Sequence, residues 1–241
     1  MVALADIESV ARRAYADLIG MARDMWPVLL TLCALYVLAV MGYFALPLLV
    51  DTKLGETVLR LLDFIGVTAI AAPYYIALHR YVAFGEARWL PRAGAYMEAL
   101  PYIAYASFLE TMWFAPMIAA EIVDAFGADV LSDVALGLGF FASWAIAASL
   151  STLLPMAALN PRRASAARAF AQVRGRFWYV FAATNGPASP AVFALVILAN
   201  GAGLRTIGAV PFAILGLAAM LMLQLTPLAV ATRLWQRLEA R

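Results

Sequence analysis

Apolar residues run almost unbroken through six stretches, at about 26–50, 58–79, 99–120, 134–159, 177–200 and 208–232, with polar residues gathered between them. Each stretch reaches the ~20 residues that a helix needs to cross ~30 Å of hydrocarbon. The stretches lack the ten-residue alternating pattern of an outer-membrane barrel, and backbone groups in lipid must be satisfied within the segment, so helices are expected. The predicted fold class is all-α: a polytopic membrane helix bundle of six transmembrane helices, forming a single integral membrane domain over 1–241. Before the first stretch, Ile7, Val10, Ala11, Ala14, Leu18, Met21 and Met25 recur at helical spacing opposite Asp6, Arg12, Arg13, Asp17 and Arg23. This pattern predicts an amphipathic helix over 1–25 lying on the cytoplasmic membrane surface. The charged lead-in and the length of the first stretch are unlike a secretory signal peptide, so the segment is expected to be retained.

Charge supplies an orientation. Basic residues number 3 before the first stretch, then 2 (Lys53, and Arg60 just inside the start of the second stretch), 3, 0, 5 and 1 between successive stretches and 3 after the last, so 14 of the 17 fall on alternate, same-side segments. This is the positive-inside pattern of a multi-pass protein of the bacterial inner membrane with both termini cytoplasmic. The connection 121–133 carries Glu121, Asp124, Asp129 and Asp133 with no base, whereas 161–176 carries five arginines and no acid and suits anionic headgroups. Basic residues cluster at span ends, which argues against nucleic acid as a partner. A composition that is 65% hydrophobic and 13% charged makes the bilayer the main solvent. The lone cysteine, Cys33, lies within the first stretch and has no internal disulfide partner.

A weak repeat is legible. Tyr15, Tyr96 and Phe170, each beside alanine and near a basic residue, precede the odd-numbered stretches. Pro73, Pro155 and Pro227 fall near the ends of the even-numbered ones, each followed by an arginine: Arg80, Arg162 and Arg233. The markers predict three related hairpins, each with a cytoplasmic surface helix. The three arginines would then ring the cytoplasmic mouth, either holding a lipid phosphate or another anion or anchoring the helices at the interface. In the fourth stretch Gly139, Ser143, Ala147 and Ser151 recur every fourth residue and form a small-residue stripe suited to close helix packing.

Few positions offer chemistry. Glu110 stands about halfway along the third stretch, where an acid costs roughly 2.5–3.5 kcal/mol on insertion scales, so it should face the bundle interior. Two readings are open: a proton or cation site, or a neutral acid bonded to a neighbouring helix with help from Thr111 or Gln224. The fifth stretch is interrupted by Asn185-Gly186-Pro187-Ala188-Ser189-Pro190, which should break or kink the helix and makes Asn185 and Ser189 intramembrane polar candidates. His79, the only histidine, is expected in the headgroup region beside Glu86 or phosphate, and Asp63 where it still reaches water. No metal-ligand cluster, activated nucleophile or cofactor motif is present, so no cofactor, metal or catalytic residue is assigned.

The run Ala72 to Glu86, containing His79-Arg80-Tyr81 and Gly85-Glu86, resembles a family of uncharacterised six-span membrane proteins of proteobacteria. A second matching stretch runs from Ser149 to Phe181 and contains Leu153-Leu154-Pro155, Arg174-Gly175 and Trp178. Leu78 and Phe170 stand where that family usually has tryptophan. More distantly, the surface-helix-plus-hairpin pattern is similar to the membrane region of some glycerophosphodiester phosphodiesterases. The resemblance implies the architecture and brings no activity. The expected function is that of a non-enzymatic accessory, assembly or scaffolding subunit whose partners are membrane lipids and other membrane subunits or a second copy. The alternative is a small transporter or permease using Glu110 and the broken fifth helix.

Overall fold

The structure, a computed structural model, describes residues 2–88, 95–127, 129–200 and 209–239. Every regular element among them is helical: α1 (Val2–Asp24), α2 (Trp26–Ala45), α3 (Lys53–Phe84), α4 (Ala95–Ala125), α5 (Asp129–Ser149), α6 (Leu153–Leu159), α7 (Ala166–Val173), α8 (Phe177–Asn185), α9 (Ser189–Asn200) and α10 (Ala209–Glu239), with short 3₁₀ turns at Leu46–Leu49 and Pro161–Arg163. Among the described residues five helical segments are long and apolar enough to cross a membrane: Trp26–Leu49, Lys53–Phe84, Ala95–Ala125, Val130–Ser149 and Leu215–Glu239. The chain is a multi-pass membrane protein.

Local chemistry sets the helix ends. Thr52 caps α3 by accepting from the Gly55 N–H at 3.1 Å, and Gly85 ends it in the left-handed region at φ 72°. At 32 residues α3 is about 48 Å long, more than the hydrocarbon core is thick, so it projects beyond it. Between α1 and α2 the chain leaves helical geometry at Met25, and Pro27 stands in the first turn of α2, where its missing N–H costs nothing.

The predicted amphipathic helix forms as α1 (Val2–Asp24), but its apolar face meets protein. Val10, Ala14, Leu18, Met21 and Met25 are buried in one core with Leu78 and Val82 of α3, Val180 and Ala183 of α8, and Leu225, Leu228 and Leu234 of α10. Polar contacts fasten the same face. Arg233 makes two 2.7 Å hydrogen bonds to Asp17, Arg237 pairs with Asp6, and Tyr179 donates to Asp6 at 2.7 Å. Tyr81 donates to Asp24 at 2.7 Å, and this bond, together with the larger effect of the Arg23 guanidinium beside it, lowers the Asp24 carboxyl to about 2. The half-buried Arg233–Asp17 pair is worth testing alone. A double-mutant cycle with Arg233→Ala and Asp17→Ala should give a coupling of about 1–2 kcal/mol in detergent-solubilised protein; additive losses would show that the pair contributes nothing.

Two of the six predicted stretches are interrupted, the fourth against expectation and the fifth where its prolines predict. The fourth divides into α5 and α6 at 150–152, where Ser151 and Leu153 N–H groups bond to carbonyls three residues back, and Pro155 supplies no donor. The fifth divides into α8 and α9 at 186–188. There Ala188, Ser189 and Ala191 also bond three residues back, which tightens the path through the two prolines without unwinding it. Because the Ala191 N–H turns to Ala188, the Pro187 carbonyl lacks its helical donor, and the Tyr15 hydroxyl of α1 supplies one at 2.5 Å. The predicted surface helix before the third stretch falls partly on 89–94, outside the described residues. Tyr96 and Glu98 already belong to the first turn of α4.

Helices α4 and α5 pack closely through the first half of the small-residue stripe. A Cβ added at Gly139 would lie 2.7 Å from Pro116 Cβ, and the buried Ser143 hydroxyl donates to the Met112 carbonyl at 2.6 Å. Closeness of this kind is what small residues permit between membrane helices. On the other side of α3, Asp63 rests against Gly42, whose missing side chain leaves room for the carboxylate; its Oδ2 is buried without a hydrogen-bond partner, so the expected access to water is not what this oxygen has.

Candidate functional site

Glu110 is the central residue of α4, Gln224 the central residue of α10, and Thr68 stands at the middle of α3. All three line a partly open cavity of about 440 Å³ between α3, α4, α5, α6, α8 and α10. They also line a smaller cavity of about 70 Å³ on the α2 side, together with Tyr75, so these four side chains form the partition between the two spaces. The sequence-level candidates Glu110, Gln224, Asn185, Ala147 and Ser151 are thus brought to one place.

The wall is chemically uneven. Tyr75 donates to Gln224 Oε1 at 3.0 Å, and Trp144 donates to Asn185 Oδ1 at 3.0 Å, while Asn185 Nδ2 donates to the Phe181 carbonyl at 2.8 Å. Gln224 Oε1 is taken by Tyr75, and among the described residues no hydrogen bond joins Gln224 to Glu110. The Thr111 hydroxyl donates to the Ser107 carbonyl of its own helix at 2.8 Å, so neither expected partner holds the Glu110 carboxyl. Among the described residues, no protein group within hydrogen-bonding distance satisfies that carboxyl. Ser151 Oγ is likewise buried without a partner in the turn between α5 and α6.

His79 corrects an expectation. Instead of standing among headgroups, its ring is buried, edge-on to Tyr102 at 5.8 Å between ring centres, and its Nδ1 lies 2.7 Å from Thr232 Oγ1. The Thr232 hydroxyl gives its one proton to the Leu228 carbonyl at 2.8 Å. Nδ1 must then be the donor to Thr232, which leaves Nε2 as an acceptor in the neutral ring. A lone histidine at the end of an apolar run carries no sequence signal of this placement, because its partner is 153 residues away. Tyr75, Tyr102 and Trp113 were also illegible as a set: on helices rich in apolar residues, aromatic side chains read as ordinary packing.

Two prolines shape the cavity wall. Pro227 has no N–H, so the Leu223 carbonyl loses its helical donor; Pro155 does the same to the Ser151 carbonyl. All four residues line the cavity. The remaining candidates lie elsewhere. Ser189 is exposed and bonds the Gly186 carbonyl at 2.7 Å, which closes the α8–α9 turn. Gly139 and Ser143 serve packing, as described above. Arg233 is engaged by Asp17, Arg162 is exposed in its 3₁₀ turn, and Arg80 lines a separate cleft of about 100 Å³ with Glu86, Arg88 and Glu98 that includes neither of the others. The expected ring of three arginines is therefore not assembled as one anion site.

Among the described residues there is no group of three or more histidine, cysteine or acidic side chains suited to a metal ion. A carboxyl at mid-helix, an imidazole acceptor, aromatic faces and proline-freed carbonyls can together bind a small molecule and hold or exchange a proton. Comparison with protein-family models, with characterised proteins and with solved structures finds no match to this chain.

Proposed function

We propose that this chain is a small permease-type membrane protein that binds a solute at mid-depth, in the cavity around Glu110. The observation carrying this reading is the convergence of Thr68, Glu110 and Gln224, each from the middle of a long helix, on a space of about 440 Å³ bounded by two interrupted helices. A mostly apolar cavity at mid-helix with a few convergent polar groups, walled by discontinuous helices, is the arrangement that secondary transporters use. The topology belonging to this reading has six crossings, the fifth made of α8 and α9 in succession, with both termini on the cytoplasmic side of the bacterial inner membrane. The distribution of arginines supports that orientation. The three-hairpin repeat is part of the same proposal, supported by the corresponding positions of Pro73, Pro155 and Pro227. The accessory-subunit reading draws on exposed apolar side chains such as Leu38, Phe44, Leu138 and Phe141; surrounding lipid accounts for these equally well.

The test uses proteoliposomes loaded with a mixture of amino acids, amines, organic acids and sugars, with the external medium followed by mass spectrometry. Wild-type protein should release at least one class saturably, and Glu110→Gln, at equal incorporation, should slow that release by tenfold or more. Retention of every solute equal to that of protein-free vesicles would overturn the permease reading and favour an accessory role.

A further inference from the structure

Among the described residues, the cavity carries one carboxyl group and no arginine or lysine along its wall. We propose that it takes an organic ammonium ion, with Glu110 as counter-ion and the aromatic rings as its second source of attraction; this rests on the binding-cavity reading above.

Several independent features agree on a cation rich in N–H donors. Glu110 is held at mid-helix without a protein partner, and a carboxylate in the interior of a membrane protein is most stable beside a positive charge. Tyr75, Tyr102, Trp113 and Trp144 line the same space. The faces of such rings attract ammonium groups within about 6 Å, more strongly when water is excluded. The backbone adds acceptors: the carbonyls of Leu223 and Ser151, freed by Pro227 and Pro155, belong to cavity-lining residues, and His79 Nε2 is an acceptor in the neutral ring. An ammonium head has donors for carboxylate and carbonyl together, and its apolar body suits the alanine and leucine side chains of Ala106, Leu109 and Leu154. An anion would meet Glu110 with no cation to compensate among the described residues of the wall.

The test compares phenethylamine with 2-phenylethanol, which has the same shape but a hydroxyl in place of the ammonium group. Both are titrated into the purified full chain in lipid nanodiscs, with empty nanodiscs as the partition control, and saturable heat is read by calorimetry. The amine should bind saturably and at least tenfold more tightly than the alcohol, and Glu110→Gln should weaken the amine by about 100-fold and the alcohol by less than tenfold. The wild-type comparison alone decides the outcome if the variant misfolds. Equal saturable binding of amine and alcohol would overturn the ammonium assignment while keeping the binding cavity. Saturable binding of neither, or of 2-phenylethanol alone, would also overturn the assignment, and the first of these joined to silent vesicles in the release assay would remove the cavity reading as well.

Discussion

Met21→Asp is expected to cost the solubilised protein at least about 3 kcal/mol, seen as a fall in its apparent melting temperature and loss of the monodisperse species in mild detergent. Deleting a buried methionine side chain alone costs about 2–5 kcal/mol, and a carboxylate left in its place adds an unpaired charge. Met21 has no exposed surface and sits in the core shared by α1, α3, α8 and α10. Ile19, two residues away on the same helix and 73% exposed, is the control: Ile19→Asp should change stability by less than about 0.5 kcal/mol. Equal, small effects at both positions would mean that α1 rests loosely on the membrane surface and not in the bundle. This contrast matters because α1 also delivers Tyr15 to the Pro187 carbonyl, and so supports the interrupted helix beside the cavity.

Gly139→Leu should be the second severe change. A Cβ there would meet Pro116 Cβ at 2.7 Å and Pro116 Cα at 3.3 Å, and a proline ring within a helix has no rotamer by which to withdraw. Helices α4 and α5 would have to separate, at a cost of about 1–3 kcal/mol for overpacking, with loss of the Ser143 bond to the Met112 carbonyl in addition. Gly137 provides the comparison, since nothing lies within 4 Å of a Cβ built at that position. Gly137→Leu should therefore be neutral or stabilising by up to about 1 kcal/mol, because leucine is the better helix former. Similar melting temperatures for the two variants would show that α4 and α5 are not in the close register described here. Since Glu110 and Ala147 stand farther along the same two helices and line the cavity, Gly139→Leu should also weaken ligand binding, whereas Gly137→Leu should not.

Much of the candidate site was visible one residue at a time. Glu110 and Gln224 stood out because polar groups at mid-span are costly, and Asn185 because two prolines follow it. Their convergence was not visible, and neither was the division of labour within the stripe, where Gly139 and Ser143 pack while Ala147 and Ser151 face the cavity. His79 was misplaced for a related reason. Its position near a span end suggested the interface, but α3 extends beyond that end to Phe84, and Thr232 supplies the polar partner that makes burial tolerable.

Hydrophobicity and backbone satisfaction act along the chain, so the sequence by itself determined that the protein is a helical, multi-pass membrane protein. The same local physics placed the break around Pro187, since a proline removes a donor wherever it falls, whereas the break at 150–152 ahead of Pro155 was not foreseen. Which residues meet across the bundle depends on crossing angles and register between distant segments, and those follow from side-chain packing that no local pattern encodes. Tertiary structure alone therefore decided that α1 is buried against α3, α8 and α10, that Arg233 is paired with Asp17, and that Thr68, Glu110, Gln224 and His79 share one cavity.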